Sequence, residues 1–84
     1  MKPYTVVKSL AGRDSGRWFA ALEISGEYVI IVDGKCRPLC RPKRKKAKHL
    51  LFTDRVLNGE NLTTNRKIRS ALKPFYADSD KGGK

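Results

Sequence analysis

Two arginines flank a short glycine-rich stretch near the start of the chain. Arg13 follows Gly12 and Arg17 follows Gly16, with Lys8 a few residues before them. The two glycines mark a tight turn, because glycine adopts positive φ at no steric cost. The planar fork of arginine suits two-point contacts with phosphate, and a constrained turn loses less conformational entropy on binding than a free tail. The pattern therefore indicates phosphate binding, and the alternative is an ordinary β-turn with solvated arginines.

A second group of basic residues lies further along the chain. Six of the eight residues in the segment 41–48 are lysine or arginine. In the whole chain 19 basic residues stand against 8 acidic ones, which gives a net charge of +11. Clustered like charges repel one another, and a polyanion relieves that repulsion, so nucleic acid is the expected partner. The alternative for the run itself is a solvated charged face that keeps the protein soluble.

Trp18 directly follows Arg17, so it is also a candidate for contact with a nucleic acid. An exposed aromatic ring beside basic residues can stack on an unpaired base. A lone tryptophan in a small domain is more often part of the core. Both interpretations stay open, and the core is favoured.

The sequence offers little for catalysis or metal binding. Cys36, Cys40 and His49 are zinc ligands by type, but a fourth ligand is missing, so we expect no metal and no cofactor. A bridge between the two cysteines would close only a tiny loop, and we expect reduced thiols. No nucleophile, base and orienting group can be assembled, and Asp14 is expected to accept backbone hydrogen bonds in its turn. We therefore expect neither an enzyme nor a small-molecule substrate.

Runs of apolar and β-branched residues predict strands around the basic groups. A first strand over residues 4–10 leads into the glycine turn. Two further strands, over residues 17–24 and 27–33, are joined by Ser25 and Gly26, and so short a junction predicts a hairpin. Pro38 and Pro42 favour an edge segment for the basic run, which a closing strand near residues 50–56 follows.

The second predicted strand is apolar on both sides. Strict alternation places Trp18, Ala20, Leu22 and Ile24 on one face and Phe19, Ala21 and Glu23 on the other. Such a strand suits a small closed barrel, in which one face fills the interior and a neighbouring segment covers part of the other.

A helix is predicted after a turn at Asn58 and Gly59. Thr63, Thr64 or Asn65 can cap it, and its apolar positions are spaced by three and four residues. We expect Pro74 to end this helix and residues 77–84 to be disordered. The other side of the helix could also present positive charge to a partner, through Arg66, Lys67, Arg69 and Lys73.

The glycine turn and its flanks resemble a known motif. Residues 7–17 read VKSLAGRDSGR and are similar to the KOW motif, the strand-loop-strand unit of RNA-contacting SH3-like barrels in ribosomal proteins and transcription elongation factors. Gly12 matches the central glycine of the motif, and Val7 and the strand over residues 19–22 match its hydrophobic positions. Residues 1–72 as a whole are similar to short bacterial KOW-domain proteins, which are related to an archaeal and eukaryotic large-subunit ribosomal protein.

The resemblance implies a mainly β fold, with a small SH3-like (KOW) barrel of about five strands and a short C-terminal helix. The expected limits are residues 1–57 for the barrel, 58–76 for the helical extension packed on it, and 77–84 for the disordered tail. The resemblance and the charge pattern together predict these RNA contacts: Lys8, Arg13, Arg17, Trp18, Arg37, Arg41, Lys43, Arg44, Lys45, Lys46 and Lys48.

The expected function is RNA binding by a ribosome-associated protein that contacts ribosomal or other structured RNA. The same barrel also serves as a protein-binding module, so the alternative is a protein-interaction module that docks on the transcription or translation machinery. No apolar run is long enough for a signal peptide or a membrane-spanning helix, and we expect a cytoplasmic monomer without membrane contact.

Overall fold

A computed structural model describes residues 3–82, with side chains as far as Tyr76. Its strands are β1 (Thr5–Ser9), β2 (Trp18–Ser25), β3 (Tyr28–Val32), β4 (Lys43–Lys46) and β5 (Leu50–Val56), and its long helix is α1 (Asn65–Gly82). Short 3₁₀ helices span Ala47–His49 and Gly59–Leu62. All strand pairs are antiparallel, in the order β4-β3-β2-β1-β5.

The mainly β fold of five strands with a C-terminal helix is confirmed. The strands β4 and β5 are the two edges of one sheet, and this sheet is not closed within residues 3–82. The five strands therefore agree with the expectation, while a closed barrel is not confirmed.

Both faces of the sheet are buried at its centre. One face, here named the helix face, packs against α1, and its core consists of Val6, Ala20, Val32, Leu62, Ile68 and Leu72. The opposite face has its own core of Val7, Phe19, Ala21, Val29, Ile31 and Leu50. This arrangement explains why the β2 sequence is apolar on both sides.

A β-bulge in β2 changes the predicted alternation. Ala21 pairs with Ile31, and the next pair joins Glu23 to Ile30, so one extra residue of β2 lies between them. Ile24 consequently packs with the core of the opposite face, whereas strict alternation places it with Trp18 on the helix face. The prediction for Ile24 was wrong because a bulge shifts every later side chain to the other face.

The loop after β3 holds the first turns of α1. Gly34 has φ +76°, and a Cβ atom there would overlap the carbonyl oxygen of Asn65. The carbonyl oxygen of Gly34 accepts a hydrogen bond from the Arg69 guanidinium at 2.7 Å. Leu39 donates its backbone N–H to Asn65 Oδ1 at 2.8 Å. Loop and helix are thus joined by close backbone approach and by two hydrogen bonds.

The helix α1 begins as predicted but does not end at Pro74. Thr64 caps its N-terminus, because its Oγ1 accepts the backbone N–H of Lys67 at 3.1 Å. The helix continues past Pro74, and Phe75 packs on Trp18 with 5.2 Å between ring centroids. This packing favours continuation of the helix and offsets the cost of a proline in its interior.

The tail over residues 77–84, for which disorder is predicted, is described only in part. The backbone of residues 77–82 continues α1, while the side chains of residues 77–82 and all of residues 83 and 84 lie outside the described part, so disorder of the tail stays a prediction. Between residues 3 and 82, no helix is both long enough and apolar enough to cross a membrane.

The close approach at Gly34 gives a test of how α1 is held. Gly34→Ala is expected to lower the free energy of unfolding by about 1–2 kcal/mol through left-handed strain, and by a further ~1–3 kcal/mol because the new methyl group overlaps Asn65. Gly16→Ala is the control, since Gly16 has φ +88° but no atom within 4 Å of the added carbon. Urea unfolding followed by Trp18 fluorescence measures both variants, and equal decreases in stability would contradict the close approach.

Candidate nucleic-acid interface

A buried ion pair fixes the glycine loop, defined here as residues 10–17. Lys45 is only 8% exposed, and its ammonium group lies 2.5 Å from Asp14 Oδ1. The same group donates to Ser9 Oγ at 2.8 Å and to the Ala11 carbonyl oxygen at 2.6 Å. On its other oxygen, Asp14 accepts a hydrogen bond from Lys43 at 3.0 Å. Strand β4 is thereby tied to the loop that carries Arg13 and Arg17.

Asp14 keeps its negative charge within this network. Burial of the carboxylate would raise its pKa, but hydrogen bonds from Lys45, Ser9 and Lys43 outweigh burial and hold the pKa well below its ordinary value. The Asp14 carboxylate accepts these bonds from side chains, whereas the sequence led us to expect backbone donors. The carboxylate is thus a structural counter-ion of the loop.

The basic run does not form one continuous surface. In β4, Lys43 and Lys45 pair with Ile31 and Val29 on the opposite face of the sheet, while Arg44 and Lys46 alternate with them and are exposed. Lys45, a predicted RNA contact, is enclosed by its own partners, so it does not belong to the candidate interface.

The position of β4 gives part of the run a structural explanation. Because β4 is an edge strand, its backbone could pair with a strand of another molecule. Three features of this segment hinder such pairing: lysines on the edge, an inward-pointing charge such as that of Lys45, and a proline at position 42. The charges of the run therefore have two structural roles besides adding to the positive field: Lys45 stabilises the fold through Asp14, and the charges along β4 hinder pairing of its edge with another molecule.

Four of the predicted contacts meet in one place, here named the loop cleft. This cleft has a volume of about 240 Å³ and lies between the glycine loop and the loop after β3. Its positive side chains are Arg13, Arg17, Arg37 and Lys43. They come from three separate parts of the chain, and the Asp14 network helps to position two of those parts.

A second and larger cleft, the helix cleft, lies between the loop after β3 and α1. Its volume is about 360 Å³. One carboxylate, that of Asp33, and five cationic side chains line this cleft. The cations are Arg17, Lys35, Arg66, Arg69 and Lys73. The Asp33 carboxylate accepts the backbone N–H groups of Lys35 and Arg37, at 2.9 and 2.8 Å, which fixes the loop between the two clefts.

Arg17 lines both clefts and joins them. Its guanidinium donates to Cys36 Sγ at 2.9 Å, and this contact is the largest of the effects that raise the pKa of Arg17. Only one of the five guanidinium N–H donors is needed for that bond, so others are left for an anion. The two clefts thus adjoin at Arg17, and together they are named here the basic groove.

The helix cleft contains residues that were not among the predicted RNA contacts. The sequence indicates Arg66, Arg69 and Lys73 only as a positive side of the helix, and their spacing of three and four places them on one face of α1. The sequence gives no reason to select Lys35. No pattern in the residues around it predicts that the loop after β3 packs against a helix that begins 30 residues later.

Trp18 belongs to the packing of the helix face. Its ring contacts Phe75 on α1, and the Lys8 ammonium lies 5.4 Å from its centroid. The backbone N–H of Trp18 donates to the Tyr76 hydroxyl at 3.0 Å. These contacts support the core interpretation of Trp18, and they place Lys8 over an aromatic ring instead of in the groove.

The remaining predicted contacts lie outside both clefts. Arg44 is exposed and its guanidinium lies 4.6 Å from the centroid of the Tyr28 ring. Lys46 and Lys48 line a separate, smaller cavity of about 190 Å³ beside Glu27, and Arg41 is exposed in the loop before β4. The structure therefore separates the predicted residues into a clustered group and a dispersed group.

The two cysteines, Cys36 and Cys40, are free and exposed. Within the described side chains, no three histidine, cysteine or acidic residues come close enough together to hold a metal ion.

The buried ion pair predicts a specific loss of stability. Asp14→Asn is expected to lower the free energy of unfolding by about 3 kcal/mol at pH 7, because it leaves the Lys45 charge buried without a counter-ion. Asp54→Asn is the matched control on an exposed position of β5, with an expected change below about 0.5 kcal/mol. Urea denaturation of the three proteins measures these differences.

The same pair predicts a pH dependence. Because the pKa of Asp14 is lowered on folding, its stabilisation is complete above the ordinary carboxyl value of 3.8 and is lost as the pH falls below it. The difference in stability between the wild type and Asp14→Asn should therefore narrow below about pH 4. A difference that stays constant down to about pH 2 would contradict the ion pair.

Comparison with known proteins does not assign the chain to a family. No protein-family model matches it, and a search of the curated proteins finds no significant match. The resemblance to the KOW motif consequently stays an interpretation of residues 7–17, and the geometry of the basic groove is the main basis for a functional proposal.

Proposed function

We propose that this protein binds RNA through the basic groove. The observation that carries the proposal is the convergence of eight cationic side chains on two adjoining clefts: Arg13, Arg17, Lys35, Arg37, Lys43, Arg66, Arg69 and Lys73. Only two carboxylates, those of Asp14 and Asp33, lie among them in the described part of the chain. Such an excess of positive charge in a concave surface focuses the field and attracts a polyanion.

The groove is also well prepared for phosphate. Five of its eight cations are arginines. A guanidinium can bond two phosphate oxygens at once, whereas a lysine ammonium acts as a single point charge. The glycine loop is held by the Lys45–Asp14 pair and the loop after β3 by Asp33. Because these backbones are already fixed, binding costs mainly the entropy of long side chains.

Ribosomal RNA is the target that the KOW resemblance supports. Phosphate contacts position a protein on RNA without reading its sequence, so the groove favours recognition by shape and charge. A structured RNA presents closely spaced phosphates to both clefts at once. We therefore propose association with the ribosome as the setting of this binding.

Charge-matched variants test the groove. Replacing Lys35, Arg37 and Lys73 by Gln should lower RNA affinity and reduce the slope of log affinity against log salt by about 2–3, since each phosphate that is no longer neutralised reduces the slope by about 0.7–0.9. Replacing Arg44, Lys46 and Lys48 by Gln removes the same three charges outside the groove. That control should change the slope by less than about 1.

Filter binding of a structured RNA across a salt series measures both sets of variants, with circular dichroism to verify folding. Equal effects of the two sets would show that only total charge matters and would contradict the groove. Absence of RNA binding by the wild type at low salt would refute the proposed function itself.

Co-sedimentation tests the ribosomal setting. The protein should sediment with ribosomes at low salt and leave them after nuclease digestion of the RNA, because its contacts are with phosphates. Retention on the protein fraction after digestion would instead favour a protein-interaction module that docks on the translation machinery.

A further inference from the structure

The helix cleft contains an aromatic side chain that the proposed phosphate contacts do not use. Tyr76 lines the cleft together with Arg66, Arg69 and Lys73, and it is 38% exposed. Its hydroxyl accepts the backbone N–H of Trp18 at 3.0 Å, which anchors one end of the ring to β2. An anchored, solvent-accessible ring therefore lies among cations.

Trp18 and Tyr28, whose rings are in contact with cations, are less accessible to a base than Tyr76. The Trp18 ring is flanked by Phe75 and by the Lys8 ammonium. The Tyr28 ring is covered by the Arg44 guanidinium, whose carbon lies 4.6 Å from the ring centroid. Of the residues that line the two clefts, only Phe19 and Tyr76 are aromatic within the described side chains, and Phe19 is buried.

The size and composition of the helix cleft suit one nucleotide. Its volume of about 360 Å³ lies in the ~300–1,000 Å³ range of sites for small organic groups. Its wall combines the exposed apolar ring of Tyr76 with the charges of α1. A nucleotide matches both features, because its base has a flat face that packs on an aromatic ring and its phosphate is an anion.

We propose that the helix cleft holds one unpaired nucleotide of the bound RNA, with its base against Tyr76 and its phosphate among Arg66, Arg69 and Lys73. The inference rests on the proposed RNA binding and adds that the groove distinguishes unpaired from paired regions. A paired base inside a helix has both faces covered by its neighbours, whereas bases in loops and bulges can be splayed out onto aromatic side chains.

The test compares two RNAs of nearly equal charge: a perfect duplex, and the same duplex with one bulged nucleotide. The wild type should bind the bulged duplex at least about fivefold more tightly, the lower limit expected for stacking of one base on an aromatic ring. Tyr76→Ala should abolish this preference, so that the folded variant binds the two RNAs with equal affinity. Fluorescence anisotropy at one salt concentration measures all of these affinities.

Tyr76→Phe is the control, because it keeps the ring and removes only the hydroxyl, so the preference for the bulge should persist. Equal binding of the two RNAs by the wild type would overturn the inference, and this measurement does not depend on any variant folding. A preference that survives in folded Tyr76→Ala would also overturn it. If neither RNA binds, the proposed function fails, which is a distinct result.

Discussion

The ion pair between Lys45 and Asp14 holds the edge strand β4, the glycine loop and the start of β2 together. Without a carboxylate beside it, a lysine at that buried position of β4 would face a large desolvation penalty. Without the lysine, the glycine loop would lose the ammonium group that bonds Ser9, Ala11 and Asp14 together. Edge strand, loop and the start of β2 are therefore interdependent, and the position of Arg17 between two clefts follows from that dependence.

Local sequence signals predicted the parts of the fold that depend on local physics. The turn at Gly26 between β2 and β3 and the cap at Thr64 were expected from neighbouring residues alone. The bulge in β2 was not, because it depends on how β2 pairs with a different strand. The continuation of α1 through Pro74 likewise depends on Phe75 and Tyr76 contacting β2, which propensity does not report.

The candidate site shows the same division. The glycine turn and the charge run indicated phosphate chemistry, and the structure brings four of the predicted residues into the loop cleft. In a run composed almost entirely of basic residues, alternation says nothing about which side chain points inward. Lys45 is the buried lysine of this run because its ammonium group pairs with Asp14, which lies 31 residues earlier in the sequence. Only the folded structure shows that this lysine stabilises the fold and is not a surface charge. The helix cleft needed the same long-range information.

The close approach of Gly34 to Asn65 limits how far the two walls of the helix cleft can move apart or together. The spacing between its two walls is set where one main chain touches another, and main-chain atoms have no rotamers by which to yield. The gap is therefore part of the fold itself, and in the proposed binding only the flexible ends of lysines and arginines would need to adjust. A bulkier guest would meet this rigid limit, so we expect the proposed nucleotide site to select by size as well as by charge.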